Sequence, residues 1–321
     1  SNNGQRVPLD LQENNIIISN PQSGELLFYS DGQRVIDASH QNMLNGSDLL
    51  GTPSTMYGTA VVQNPMACDQ FLLFYGEDEN VSPPRQVYYS SIGPRLAGNG
   101  SPAAPLGEVI NSQKNIPLLP NTIDAGEGLF ALPKSDYSQE SWLFLSDRTT
   151  NTLIVYDVSV GGIQLHLSIP LEQLFPGNGN GEDLFSVRIV YFEDSLNEGR
   201  LVIAPGYRPF QSNTSIGYLN FNRATGDLET GPAIVIGENR PWCYGLAFSP
   251  DGSKLYSSDY VTKSLYQYDF DNDQSTIVAV SNHNGRTGGL GLAPNGKIYW
   301  ANRFSNFSQD PINSLSTIES P

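Results

Sequence analysis

The sequence predicts an all-β fold of many short strands, and three observations lead to this prediction. Its 321 residues include 31 glycines, 22 prolines and 16 tyrosines, while only 16% are charged, a composition typical of strands joined by many turns. No apolar periodicity of 3.6 residues, which would indicate an amphipathic helix, is sustained anywhere. One local pattern also recurs along the chain, which is typical of a repeat structure.

The recurring pattern is an apolar strand, a turn rich in Pro, Asn, Asp and Gly, and a second strand that alternates aromatic and aliphatic residues. Its six copies are NIIISNPQSGELLFYSDG (15–32), AVVQNPMACDQFLLFYGED (60–78), GLFALPKSDYSQESWLFLSD (128–147), VRIVYFEDSLNEGRLVIAPG (187–206), YGLAFSPDGSKLYSSD (244–259) and GLGLAPNGKIYWAN (289–302). In the SPDG turn, Pro250 presets φ, Asp251 can bond the backbone, and Gly252 is expected to take the left-handed position that closes the hairpin.

Further strands follow several copies. Third strands are predicted at SLYQYDFD (264–271), TLIVYDVS (152–159) and IGYLNFN (216–222), and fourth strands at STIVAVSN (275–282) and PAIVIG (232–237). Four antiparallel strands in each repeat of roughly 45 to 60 residues are typical of a β-propeller blade. We therefore predict that residues 1–321 form a single domain, a β-propeller of six four-stranded antiparallel blades.

Two details of this architecture stay open in the sequence. The intervals 78–126 and 160–184 leave room for a seventh blade. The last repeat offers only SLSTIESP (314–321) as a third strand, so QRVPLDLQ (5–12) is expected to supply its fourth strand. That pairing would close the ring and remove exposed sheet edges.

Charge and cysteine content exclude several classes of function. The formal net charge of −16 repels nucleic acid and anionic lipid, and the longest apolar runs, such as FLLFY (71–75), are far too short to span a membrane. Cys68 and Cys243 form neither a disulfide framework nor a zinc motif, so both are expected to be small buried residues. No signal-peptide core opens the sequence, so a secreted chain would have lost that segment beforehand.

Candidate ligand-binding residues are aromatic and basic side chains near the predicted loops. Such residues make rigid contact surfaces for sugars, peptides or proteins, although Tyr and Trp also pack between blades. Of the three histidines, only His283 precedes an inner strand, and no G-x-S-x-G motif accompanies them. The candidates are Arg188, Trp242, Tyr244, Tyr260, His283, Arg286 and Arg303.

One acidic segment resembles the opening of a calcium loop. In DFDND, Asp269, Asp271 and Asp273 occupy alternate positions. A calcium loop needs Gly at its sixth position and Glu at its twelfth, where this chain has Gln274 and Val280. The segment therefore predicts a polar turn between the third and fourth strands, and it leaves open a calcium ion on an outer loop.

The stretch NRPWCYGLAFSPDGSKLYSSD (239–259) resembles the signature of the six-bladed, calcium-dependent gluconolactonase and senescence-marker family. That resemblance implies a calcium site at the channel mouth. Tyr244 stands where the family has an Asn ligand, and Gly288 or Gly289 stands where it has an Asp ligand. Glu127, in AGEGLFAL, matches the family's Glu ligand.

A second resemblance covers more of the chain. SGELLFYSDGQRVIDASHQNMLNGSDLLG (23–51) is similar to a segment of Bacteroidetes cell-surface proteins associated with gliding motility and type IX secretion. Residues 87–119 and 289–302 extend the similarity, and His40, Met43, Asn45 and Gly46 keep the family's spacing. The resemblance implies an extracellular or outer-surface location and a role in adhesion or assembly.

Two hypotheses about function follow. The first is a secreted or surface-displayed binding or scaffolding module, monomeric in isolation, that uses no cofactor and contacts a protein or carbohydrate. The alternative is a divergent calcium-dependent, lactonase-like hydrolase, with Glu127 as a metal ligand at the channel mouth.

Overall fold

A computed structural model describes residues 9, 13–78, 80–177, 183–208, 214–240, 242–281, 287–302, 314–319 and 321. The chain divides into two compact units, Ser1–Ser168 and Ile169–Pro321. Within the described ranges, no helix is long and apolar enough to cross a membrane.

The first unit contains three antiparallel sheets, which we number as blades 1, 2 and 3. Blade 1 has the order β1-β2-β3, blade 2 the order β4-β5-β6-β7 with β8 also pairing with β6, and blade 3 the order β9-β10-β11-β12. The strands are β1 (Ile16–Ser19), β2 (Leu26–Ser30), β3 (Val35–Asp37), β4 (Thr59–Gln63), β5 (Phe71–Gly76), β6 (Val87–Gly93), β7 (Glu108–Val109), β8 (Ile116–Pro117), β9 (Phe130–Pro133), β10 (Ser141–Asp147), β11 (Thr152–Ser159) and β12 (Gly162–Pro170).

The second unit holds blades 4, 5 and 6 and begins with a single helical turn, α1 (Leu171–Leu174). Blades 4 and 5 are the four-stranded sheets β13–β16 and β17–β20, and blade 6 is the sheet β21–β23. The strands are β13 (Asp183–Ser195), β14 (Glu198–Arg208), β15 (Thr214–Asn222), β16 (Ile234–Arg240), β17 (Cys243–Phe248), β18 (Lys254–Asp259), β19 (Ser264–Asp269), β20 (Gln274–Val280), β21 (Thr287–Leu292), β22 (Ile298–Asn302) and β23 (Ser314–Ile318).

The predicted fold class, a six-bladed β-propeller of antiparallel blades, is confirmed. The intervals that left room for a seventh blade hold the outer strands β6 to β8 and β12 with α1, which belong to blades 2 and 3 or follow them. The strand predicted at 5–12 to close the ring lies outside the described residues, apart from Leu9.

The hairpin turns follow from their residue types. Gly252 has φ +70°, the left-handed conformation predicted for it. Asp251 accepts hydrogen bonds from the Ser249 hydroxyl at 2.7 Å and the Ser253 amide at 3.0 Å, and these bonds lower the pKa of its carboxyl to about 2. The SPDG turn at 249–252 is thus held by local hydrogen bonds.

The hydrophobic core lies between successive blades. Phe28 of blade 1 packs in one cluster with Leu73 and Tyr75 of blade 2. In the second unit, Val202 of blade 4 shares a cluster with Leu246 of blade 5. Within each unit, neighbouring sheets therefore bury their faces against each other.

The two cysteines differ in exposure. Cys243 is buried at the start of β17, as predicted. The prediction for Cys68 is wrong, because this residue is exposed in the turn between β4 and β5, where Met66 and Asp69 also face solvent.

A buried aspartate recurs where the second strand of a blade ends. Each of the four carboxylates accepts a hydrogen bond from the backbone amide two residues further along, at 2.9 to 3.0 Å. Because these amides would otherwise lack a partner, the aspartate fixes the turn into the third strand. The four residues are Asp31, Asp78, Asp147 and Asp259.

Candidate functional site

Three of the predicted ligand-binding residues meet in one aromatic cluster in blade 5. The ring centroids of Trp242 and Tyr260 are 4.4 Å apart, those of Tyr244 and Tyr260 are 5.5 Å apart and nearly parallel, and those of Trp242 and Tyr244 are 6.1 Å apart. Phe185 of β13 adds a fourth ring, 5.6 Å from Trp242. We call Phe185, Trp242, Tyr244 and Tyr260 the aromatic cluster.

The backbone holds the aromatic cluster in place. The recurring aspartate of this blade, Asp259, accepts a hydrogen bond from the Trp242 amide at 3.2 Å, and the Trp242 carbonyl accepts one from the Tyr260 amide at 3.0 Å. Gly206 leaves space for the indole, because a Cβ there would lie 3.3 Å from it. These hydrogen bonds hold Trp242, just before β17, next to Tyr260, just after β18.

Burial gives the rings different roles. Trp242 and Tyr244 are only 6% and 7% exposed, whereas Tyr260 is half-buried. Tyr260 is therefore the most exposed ring of the aromatic cluster, and the other three rings are buried. A rigid, half-buried ring with a hydroxyl tip suits contact with the apolar face of a sugar or with an apolar side chain.

The corresponding position in blade 3 is charged. Asp124 precedes the first strand of this blade, its amide donates to the recurring Asp147 at 3.2 Å, and its carbonyl accepts from the Arg148 amide at 2.8 Å. Asp124 and Arg148 thus occupy the places that Trp242 and Tyr260 occupy in blade 5. The nearly buried Arg85 guanidinium donates to both oxygens of the Asp124 carboxylate, at 3.0 and 2.8 Å. We call the region around Arg85, Asp124 and Arg148 the charged entrance of blade 3. The region around Trp242 and Tyr260 is the aromatic entrance of blade 5.

Glu127 lies in the charged entrance and is 3% exposed. Its Oε2 accepts a hydrogen bond from the Met56 amide at 2.7 Å. Burial raises the pKa of its carboxyl to about 8, helped by the charges of Glu13 and Asp78 and opposed by the Met56 amide and by Arg148. At neutral pH this side chain is therefore mostly an uncharged acid.

The carboxylate, imidazole and thiol side chains of the described residues are dispersed. No group of three carboxylate, imidazole or thiol side chains among them lies close enough together to hold a metal ion. Calcium takes six to eight oxygen ligands, and of the ligands implied by the first resemblance this entrance keeps Glu127, whose Oε2 accepts a hydrogen bond from the Met56 amide. Calcium binding at this entrance therefore stays a prediction that rests on Glu127.

The acidic segment 269–273 forms the turn between β19 and β20. Asp269 Oδ1 accepts from the amides of Asp271 and Asn272 at 3.0 and 3.1 Å, and Asp273 Oδ1 accepts from the Tyr268 hydroxyl at 2.5 Å. The side chains of Asp269 and Asp273 thus serve the turn, and calcium binding there stays a prediction.

The remaining predicted binding residues are not all described. Arg188 lies half-buried on β13, the strand that also carries Phe185. His283, Arg286 and Arg303 lie outside the described residues.

Sequence reasoning missed the recurring aspartates, Phe185 and the Arg85–Asp124 pair. The aspartates had a signal in the sequence, since each of the first three repeats and the fifth ends in Asp or in Asp-Gly. Phe185 and Arg85 had none, because their partners lie 57 and 39 positions further along the chain.

No protein-family model matches the sequence, and no curated protein matches it either. Several solved structures do resemble the fold. The PQQ-bound aldose sugar dehydrogenase from Streptomyces coelicolor matches with a TM-score of 0.53 and 12% identity, over 98% of this chain and 96% of that one. A putative 6-phosphogluconolactonase from Bacteroides fragilis matches with a TM-score of 0.51 and 12% identity, over 97% and 79% of the two chains.

Regucalcin from Agrobacterium tumefaciens, a calcium-binding protein, matches less well, with a TM-score of 0.42 and 16% identity over 77% of this chain and 68% of that one. The two matches with TM-scores above 0.5, at 12% identity, show a shared fold and nothing finer. The class that fold and strand order define is the six-bladed β-propeller.

Proposed function

We propose that this chain is a binding or scaffolding module whose aromatic cluster contacts a protein or carbohydrate partner. The observation that carries the proposal is the meeting of Trp242, Tyr244 and Tyr260, with the half-buried Tyr260 ring stacked on Tyr244. Buried rings behind a more exposed one form a preorganised surface, which loses little conformational freedom on binding.

The setting of this module in our proposal is the outer surface of a bacterial cell. The support comes from the similarity of residues 23–51 to Bacteroidetes surface proteins linked to gliding motility and type IX secretion. The net charge of −16 is consistent with a soluble protein that stays clear of nucleic acid.

The test is binding to an array of bacterial surface polysaccharides and extended peptides, with the Tyr260→Ala variant compared with the unchanged chain. Tyr137→Ala is the matched control, since Tyr137 is 98% exposed and lies outside the aromatic cluster. We expect at least one array ligand whose affinity falls about tenfold in Tyr260→Ala, as for a hot-spot residue, and is unchanged in Tyr137→Ala. Equal binding by both variants, or no binding by the unchanged chain, would refute the proposal.

The alternative is the lactonase-like hydrolase, and the observation that favours it is Glu127, since buried carboxylic acids with a raised pKa cluster at functional sites. Calcium separates the two hypotheses, because an ion that binds the folded state must raise the melting temperature. A rise on calcium addition that Glu127→Gln abolishes would favour the hydrolase. An unchanged melting temperature with calcium or with a chelator favours the binding module.

A further inference from the structure

The outer edge of blade 5 is formed by an apolar strand. β20 pairs with β19 on one side, and no residue that the structure describes pairs with its other side. Three of its side chains are large, apolar and exposed, namely Ile277 at 57%, Val278 at 46% and Val280 at 55%. In an edge strand, alternate N–H and C=O groups point away from the sheet, so this edge can accept a further strand.

β20 lacks two of the features that protect sheet edges. Its sequence, QSTIVAV, contains no charged residue and no proline. By contrast, the sequence of β16, the outer strand of blade 4, contains Glu238 and Arg240, and β12, the outer strand of blade 3, ends at Pro170. Charges and prolines at an edge oppose pairing with another sheet. A third protective feature, a bulge, is present at Val278, and it leaves Gln274–Ile277 as the regular part of the edge.

The neighbouring outer strand adds to this apolar surface. At the start of β16, Ile234 is 52% exposed and Val235 is 41% exposed. β16 contacts β20, and Ile236 and Ser275 of the two strands line one small cavity between blades 4 and 5. Exposed apolar side chains that are grouped in this way mark an interaction surface. We call this surface of the second unit the apolar rim, formed by Ile234, Val235, Ile277, Val278 and Val280.

The charges at the two ends of β20 have opposite signs. The turn 269–273 before this strand holds three aspartates, and one lysine, Lys254, lies in register with Asp269, so this end stays acidic. At the other end, the Ser281 amide donates to the Lys263 carbonyl at 2.9 Å, which places a lysine there. A second β20 that runs antiparallel to the first brings its acidic end beside this lysine, and symmetry forms the same contact twice.

We propose that this chain forms a symmetric dimer in which β20 pairs antiparallel with β20 of a second copy. Two observations select a second copy as the partner. The edge itself is uncharged, so two chains that each carry a net charge of −16 meet here with little local repulsion. The charged ends of the strand are also complementary to those of an antiparallel copy. The dimer is independent of the proposed function, because no residue of the aromatic cluster lies on β16 or β20.

The experiment is sedimentation equilibrium of the full chain at about 1 to 200 µM, in salt of about 0.15 M, which screens charge repulsion beyond ~8 Å. We expect the mass to rise from 35.0 kDa towards twice that value, with a micromolar Kd. Val278→Lys places a charge on the edge and should raise this Kd about tenfold or more. Val261→Lys is the matched control, since Val261 is also 46% exposed, lies between β18 and β19, and gains the same charge.

Sedimentation decides between this dimer and the monomer predicted from the sequence. The mass of one chain at every concentration, equal Kd values for Val278→Lys and Val261→Lys, or a mass that grows beyond two copies would overturn the dimer. Melting temperatures check that the variants fold, and Ile277→Lys, a second edge variant, should raise the Kd as well. Tyr260→Ala should dimerise as the unchanged chain does, so failure here is distinct from failure of the proposed function.

Discussion

The charged entrance of blade 3 and the aromatic entrance of blade 5 share one backbone design and differ in chemistry. In both, a buried aspartate at the end of the second strand accepts the amide of the residue that leads into the first strand. In blade 3 that residue is Asp124, paired with Arg85, and in blade 5 it is Trp242, whose ring makes an edge contact with Tyr260. The comparison shows that the repeat fixes the backbone and leaves the side chains free to serve different purposes.

The largest effect is expected from breaking the charged entrance. Arg85→Ala should lower the free energy of unfolding by about 3 kcal/mol, because it leaves the Asp124 carboxylate, whose side chain is only 13% exposed, without its counter-charge. Chemical denaturation measures this loss. The double variant Arg85→Leu with Asp124→Leu should be more stable than Arg85→Ala, since it buries no unpaired charge. A double variant less stable than Arg85→Ala would contradict this account.

The pH dependence of stability should come next in size, through Glu127. The pKa of its carboxyl is about 8 in the folded protein, whereas in the unfolded chain the group has its ordinary pKa of about 4.5 and loses its proton above that pH. The folded state therefore binds more protons between these values, so stability should fall as pH rises from about 4.5 to 8, by at most about 1.4 kcal/mol per pH unit.

Glu127→Gln should remove this fall, because the amide does not titrate. Denaturation midpoints between pH 5 and 8 provide the measurement, and Glu172→Gln, at an exposed position, should leave the pH profile unchanged. A profile that is the same in Glu127→Gln and the unchanged chain would show that the charged entrance does not shift the titration of this carboxyl.

The smallest effect on stability should come from the aromatic entrance. Tyr260→Ala should cost about 1 kcal/mol, since the half-buried ring contributes one or two aromatic contacts beyond its partial burial. Tyr137→Ala should change the melting temperature very little. A cost for Tyr260→Ala as large as that of Arg85→Ala would indicate a structural role for the ring in place of ligand contact.

Part of the candidate site could be predicted before the structure. Trp242, Tyr244 and Tyr260 were identifiable because they flank a readable hairpin, and their types favour contact surfaces. The edge contact of Trp242 with Phe185 was not predictable, because it depends on how β13 of one blade packs against β17 of the next. Glu127 was identifiable as a candidate metal ligand only through a family resemblance. Its burial, which raises the pKa of its carboxyl to about 8, depends on the tertiary structure.

The sequence by itself determined the blades, since strand alternation and turns such as Ser249–Gly252 depend on residues a few positions apart. It also predicted six repeats, with room left for a seventh, and its net charge of −16 favours partners other than nucleic acid and anionic lipid. Only the tertiary structure decided which entrance is charged and which is aromatic. Burial and pairing of Asp124, Glu127 and Trp242 are set by partners that are distant in the sequence and become neighbours only when the sheets pack.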